Sequence, residues 1–414
     1  MRISKYSFGL GDRFGRQGKA QLSAIIEAEK QGIPITPVWN KSYREHFIVG
    51  THPIDVRKEA DETIHALGWN KPYLVDADHI NLKTVDDFIP HSDFFTMDVT
   101  EAIGKPSSED EIQDFIQNNE KYTSGIPGLE IPVVLDREYL RRFAEKYLCA
   151  VNEAEKLYHH ISQDKDPDTF IVEVSIDEVN LPQTPADLFF ILKTLAEKKI
   201  PLQTIAPRFS GRFNKGVDYV GDLKRFEREF EQDLLVLDYA KKNFNLPASL
   251  KLSIHSGSDK FSIYPLMGRL IRKHDQGIHI KTAGTTWLEE LIGLAEAGNE
   301  ALSLVKKIYA EAYNRQEELI APYAAVIDIN PADLPLPADF KSWNSKKITA
   351  ALRHVPDNPE FNPNLRQLMH VAYKVAAEID NRYFELLDKY EEIIARQVKE
   401  NLLDRHIRRI FSAE

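Results

Sequence analysis

Cysteine is almost absent from the 414 residues, Cys149 being the only one. A single thiol excludes an internal disulfide framework and a cysteine zinc cage, and it fits a reducing compartment. Long apolar runs are missing too: none approaches the roughly 18–20 residues a membrane-crossing helix needs. The opening residues, MRISKYSFGLGDRFG, lack the apolar core and small-residue cleavage site of a signal peptide, so a cytoplasmic location is expected. Positive charge is in deficit, with 53 Lys and Arg against 64 Asp and Glu and a formal net charge of −11. That balance argues against nucleic acid or an anionic membrane as partner. The glycines of FGLGDRFG do not have the G-x-G-x-x-G spacing of a dinucleotide loop, which weighs against a bound nicotinamide.

What remains is ordinary for a large globular core, with 43% hydrophobic and 28% charged residues. Eight short runs rich in β-branched and aromatic residues, bounded by Gly, Pro, Asp or Asn, read as strands: 3–10, 33–39, 72–76, 93–99, 169–176, 201–206, 250–255 and 277–282. Amphipathic helices separate most of them. One carries Leu22, Ile25 and Ile26 and ends on Gly32; the next carries Val56, Ala60, Ile64 and Leu67 and ends on Gly68. Thr184-Pro185 opens a third. The segment 218–244 should turn Leu223, Phe226, Phe230, Leu234 and Leu237 inward, and Thr286 with Glu289 has capping-box spacing. Strands alternating with helices imply a parallel sheet, and eight such units imply a closed (β/α)₈ TIM barrel, preferred here to a doubly wound open sheet. The expected organisation is a catalytic barrel over 1–298 with an insertion at 101–165 after strand 4, followed by a C-terminal helical extension over 299–414. The extension is expected to pack on the barrel wall, cover its mouth or pair subunits, and the pattern leaves all three open.

Chemistry in such a barrel sits at the C-terminal ends of the strands. Those ends carry Asp12 and Arg13; Lys41, Arg44 and His52; Asp76, Asp78 and His79; Asp98; Glu173, Asp177 and Glu178; Arg208 and Arg212; His255, Ser256, Ser258, Asp259 and Lys260; and His279, Lys281 and Thr282. Imidazole and carboxylate together suit Zn²⁺, Mn²⁺, Co²⁺ or Ni²⁺. The expected ligands are His79, His255 and His279 from three distant strands, with Glu173 a fourth. Glu173 lies inside the apolar run FIVEVSIDE, where an unpaired carboxylate would cost several kcal/mol, so it is expected as ligand or acid/base rather than as a surface group. Cations at one mouth of an acidic chain suggest an anionic substrate.

At these residues the chain resembles the tagaturonate/fructuronate epimerase family, which is related to fructose/tagatose 4-epimerases. The resemblance is carried by KSYREHFIVGTHPIDVRKEADET, LVDADHI, SIHSGSDKFSIYP and HIKTAGTTWLEEL, and it runs from residue 40 to the helix at 365–380. It implies a metal-dependent barrel enzyme that interconverts D-tagaturonate and D-fructuronate in hexuronate catabolism. A weaker, local similarity is to class II aldolases, through Asp78-His79 and His255-Ser256-Gly257-Ser258. The two ketouronates differ at a hydroxyl-bearing carbon β to the ketone, whose C–H that ketone does not acidify. Enolisation cannot invert it. Retro-aldol cleavage can: the aldehyde fragment turns and the bond re-forms on its other face, with a metal polarising the ketone. Asp78 is the first choice of base, with Glu173 or Asp259 second. Lys41, Arg208 and Lys281 are candidates for the substrate carboxylate, with Ser256 and Lys260 beside them. Two other readings stay open, a class II aldolase that releases its fragments and a non-catalytic sugar-acid binding barrel. The expected partner is a ketouronate or ketohexose, with homo-oligomerisation undecided.

Overall fold

Short runs that are apolar on both faces belong in a sheet covered on both sides. The computed structural model describes residues 3–177, 181–281, 285–355, 357–379 and 381–412. It places the eight expected strands in one closed parallel barrel: β1 (Tyr6–Gly11), β2 (Ile35–Ser42), β3 (Leu74–Ile80), β4 (Phe94–Asp98), β5 (Ile171–Ser175), β6 (Thr204–Ala206), β7 (Lys251–Ile254) and β8 (Ile278–Lys281). Each strand pairs with the next, and β8 returns to β1 with Tyr6 opposite Ile278 and Gly9 opposite Lys281. The fold is the (β/α)₈ barrel, with helices beyond it at the C-terminal end.

β3 departs from expectation in a way that matters. It runs on to Ile80, and its register against β4 slips between Ala77 and Ile80. His79 there takes a left-handed φ of 53°. Consecutive strand residues ordinarily point to opposite faces. A bulge re-aims the side chain it carries, so Asp78 and His79 both turn to the mouth.

Most helices follow their expected spans. Thr184 caps Pro185–Glu197 through a capping box with Asp187. Arg137–Asp164 packs against β4 and against Pro185–Glu197, with the shorter helix Glu109–Asn119 on its outer side, so the segment 101–165 also supplies the crossover between β4 and β5. Two readings are corrected, and one helix is added. Leu223, expected inward, is 40% exposed because it follows the Asp222 N-cap directly, ahead of the buried face formed by Phe226, Phe230, Leu234 and Leu237. Thr286 and Glu289 lie inside the helix Thr285–Ala297 instead of capping it: Thr286 accepts from Gln21, and Glu289 from Asn401. A short helix, Tyr43–Val49, follows β2 directly, opened by a capping box of Ser42 and Glu45.

The extension has its own core, which it shares with the barrel's last helix. Trp287, Leu291 and Leu294 pack among Ile308, Phe340, Leu365, Met369 and Ile394. The helix Pro363–Val371 lies over the mouth. Arg13, just after β1, donates to the His370 carbonyl at 2.6 Å, and Arg366 donates to the carbonyl of Gly216, in the loop after β6, at 2.6 Å. The chain then returns to the barrel wall, where Leu402, Leu403, Ile407, Ile410 and Phe411 join the main core. Of the three roles left open for the extension, it fills the first two.

That return depends on Gly268, where a Cβ would run into the Ile410 carbonyl. Gly268→Ala is expected to destabilise the fold by about 1–3 kcal/mol, the usual range for overpacking a close contact. Urea unfolding checks it, and an unchanged midpoint would show that this contact gives way freely.

Candidate active site and metal centre

The strand ends bring one group of side chains together. His79 Nδ1 lies 3.4 Å from Asp98 Oδ2, and its Nε2 is 3.8 Å from Asp78 Oδ1. The ring packs edge-on to His255, with centroids 4.9 Å apart. His255 Nε2 is 2.8 Å from Glu173 Oε1, and Nδ1 is 3.2 Å from Asp177 Oδ1. Asp177 also accepts from Ser175 Oγ at 2.6 Å. His79, Asp177 and His255 together offer ligand atoms that all lie within 4.8 Å of one another.

A second layer lies beneath. Lys281 Nζ sits 2.8 Å from Asp76, 2.8 Å from Asp78 and 3.0 Å from Glu173. The Thr96 hydroxyl stands between Asp76, at 2.9 Å, and Glu173, at 3.0 Å, and accepts from Lys281. Five carboxylates (Asp76, Asp78, Asp98, Glu173 and Asp177) thus crowd around one ammonium and two imidazoles.

The electrostatics follow from that excess. Burial works to raise Glu173, but Lys281 and then His255 outweigh it and hold it well below the usual carboxylate range. Asp78 is also lowered against burial, by Lys281 and His79. Asp76 goes the other way, because burial there exceeds the pull of Lys281. Burial lowers His79, yet Asp78 and Asp98 reverse this and raise it to about 10.

These residues fit a divalent cation. The surplus of negative charge calls for one, and the same carboxylates raise the proton affinity of His79. If His255 donates its Nε2–H to Glu173, its Nδ1 lone pair faces Asp177. A ligating imidazole braced by a carboxylate is the usual outer arrangement of a metal site. Glu173 then orients a ligand, while its other oxygen, Oε2, is buried without a hydrogen-bond partner.

The other expected site residues fall elsewhere. His279 is two residues before Lys281 and so stands one layer deeper, its Nδ1 2.9 Å from Ser7 Oγ and its ring 5.3 Å from Phe94. Asp177 takes the third place in the cluster that His279 was expected to fill. Lys41 alternates with Asn40, which reaches into the barrel to Asp78 at 3.4 Å. It therefore faces the helix layer, buried with its Nζ 3.3 Å from Thr51 Oγ1. Asp259 is taken up by Arg366 at 2.6 Å, with His354 and His406 close by. Lys260 is fully buried and donates to the carbonyls of Asn214, Val217 and Ser258. Arg208 and Ser256 do reach the site, lining with Asp177, His255 and Val326 a narrow cleft beside the triad. Glu178 and Thr282 lie outside the described residues.

Among the remaining strand-end residues, Asp12 accepts from four successive backbone N–H groups, Phe14 to Gln17, and shapes its own loop. Arg13 pairs with Glu45 and stacks 3.9 Å from the Tyr373 ring. Sequence reasoning missed Lys215, whose Nζ donates to Ser256 Oγ at 2.7 Å. It sits in the loop FNKGV with no periodicity to mark it, and only the fold brings it to β7.

A closed parallel barrel with imidazoles and carboxylates converging at its strand ends, under a helical cover, defines a TIM-barrel enzyme. The family model for tagaturonate epimerase matches residues 1–410, and the chain belongs to that family. It is an epimerase, of the isomerase class. It is 28% identical over 420 residues to the tagaturonate/fructuronate epimerase of Thermotoga maritima, covering 97% of this chain and 80% of that protein. Crystal structures of the fructuronate-tagaturonate epimerase UxaE from Cohnella laeviribosi share the fold at 24% identity. A one-glycerol complex gives a TM-score of 0.82 and covers 99% of this chain and 82% of that one. The native form gives 0.78, covering 98% and 81%.

Proposed function

We propose that this chain interconverts D-tagaturonate and D-fructuronate by retro-aldol cleavage and re-addition, with a divalent transition metal held by His79, Asp177 and His255. The observation that carries this reading is the convergence of those three side chains at the barrel mouth, above a carboxylate–lysine layer. A divalent ion bound there supplies Lewis-acid polarisation of the substrate ketone.

The chain's own residues supply the rest. Lys281 keeps Asp78 ionised and fixed, so Asp78 can accept the hydroxyl proton from the carbon to be inverted. The bond from that carbon to its neighbour breaks, leaving an aldehyde on one fragment and the bonding pair on the other. The aldehyde turns, the bond re-forms on its opposite face, and Asp78 returns the proton. Glu173 holds His255 in register, and Thr96 ties Glu173 to Asp76, whose raised proton affinity suits it to share the proton while the fragments are apart. Asp259 has no part in this scheme, because Arg366 occupies its carboxylate. The cover formed by Pro363–Val371 limits water at the mouth.

Thorough chelation is expected to abolish the interconversion, and Mn²⁺, Co²⁺, Ni²⁺ or Zn²⁺ to restore it, as followed by NMR of the sugar products. Full activity after chelation, with no metal left by elemental analysis, would remove the metal from the mechanism.

A further inference from the structure

The cleft beside the triad has two electrical sides. Its acidic side is Asp177, beside His255 at the edge of the carboxylate cluster. Its opposite wall is the loop after β6, where Arg208 lines the cleft and Lys215 stands behind Ser256, bonded to its hydroxyl. Nearly every other cation at this end of the barrel is spoken for: Arg13 by Glu45, Arg212 by Asp328, Arg366 by Asp259, Lys281 by three carboxylates and Lys260 by three carbonyls. Among the described residues, Arg208 and Lys215 have no carboxylate partner. Lys215 is nevertheless fixed. Its backbone N–H donates to Val326 in the extension at 2.9 Å, and its ammonium donates to Ser256 Oγ at 2.7 Å. Ser256 directly follows His255 and holds a left-handed φ of 50°, a backbone choice that places its hydroxyl at the cleft.

We infer that Lys215, with Ser256 and Arg208, receives the carboxylate of the sugar acid and thereby selects it over a neutral sugar. This rests on the epimerase reading above and says which end of the substrate lies where. The chemistry adds a second role. In a ketouronate the carboxylate and the carbon to be inverted fall on the same side of the bond that breaks. The piece that must turn is therefore a three-carbon aldehyde acid, and its carboxylate is the only charged handle it has. An anchor made by the ammonium, the hydroxyl and the guanidinium holds that piece while it turns. Lys215 is in this sense a specificity-determining residue that also retains the fragment.

The test compares wild type, Lys215→Met and Lys215→Arg on the ketouronate pair, with a hydrazine reagent present to trap free aldehyde. A charged hydrogen bond of this kind supports an increase in KM of about 10- to 100-fold for Lys215→Met. Trapped three-carbon aldehyde acid should appear with that variant and not with wild type, and Lys215→Arg should restore most of the affinity and the retention. An unchanged KM without released fragment overturns the inference. So does a fall in kcat alone, which would mark a structural role. A wild-type enzyme that does not interconvert the pair would instead remove the epimerase reading itself.

Discussion

His255→Gln is expected to lower the interconversion by well over about 100-fold and to leave the purified protein with less than stoichiometric metal. The size follows from position: even the outer partner of a ligating imidazole is worth about 10- to 100-fold in metal affinity or activity, and His255 is itself one of the three convergent donors. Glutamine keeps the length and a polar end, so the fold should survive. Glu173→Gln provides the graded comparison. It keeps all three convergent donors but loses the carboxylate that braces His255 at 2.8 Å and pairs with Lys281 at 3.0 Å, so metal should bind more weakly by about 10- to 100-fold and return at higher concentration. Elemental analysis with circular dichroism decides between outcomes. A His255→Gln protein that keeps its metal and its rate would show that the triad is not the metal's seat.

The second large effect concerns stability. Lys281→Met removes the one ammonium among Asp76, Asp78 and Glu173, all of them buried. Breaking a buried ion pair from one side costs about 3–5 kcal/mol, because uncompensated charge is left behind. The loss should depend on pH, and its sign can be worked out. Lys281 now holds Asp78 and Glu173 below their ordinary range. Without it, burial and mutual repulsion push the folded-state values above those of the unfolded chain. Groups raised in this way destabilise the folded state increasingly as pH rises through the carboxylate range, and the deficit shrinks toward acid as they take up protons. Urea unfolding at pH 5 and pH 7.5 should therefore show the smaller gap from wild type at pH 5. A gap independent of pH would mean that the methionine simply packs badly.

Strand runs were legible because both faces of a parallel barrel are buried, so a strand is written as a short apolar block with a polar end. The carboxylates and histidines at those ends were legible for the same reason. Facing was not. Lys41 and Asn40 differ by one position, and no feature of the string says which enters the barrel. The bulge at Ala77–Ile80 reverses that parity for His79, and a bulge is set by the register against β4, which β3 does not spell out by itself. Depth was half legible: the order along β8 puts His279 below Lys281, but that His279 packs against Ser7 and Phe94 needed the fold. Asp259 and Lys260 lie beyond β7, where the loop turns toward the extension and its arginine. Asp177 was legible as a residue at the end of β5, and its place as the third member of the cluster needed the fold.

The cover over the mouth has a consequence for how the chain comes into being. Arg13 and its partner His370 lie 357 positions apart. Asp259 waits in the same way for Arg366, 107 positions on. A nascent chain that has already closed its cylinder still presents an uncovered opening, with Asp259 lacking the arginine that pairs with it. Contacts of such long separation are slow to form. Assembly of the catalytic end is therefore a late event, completed only once the helix Pro363–Val371 has been made.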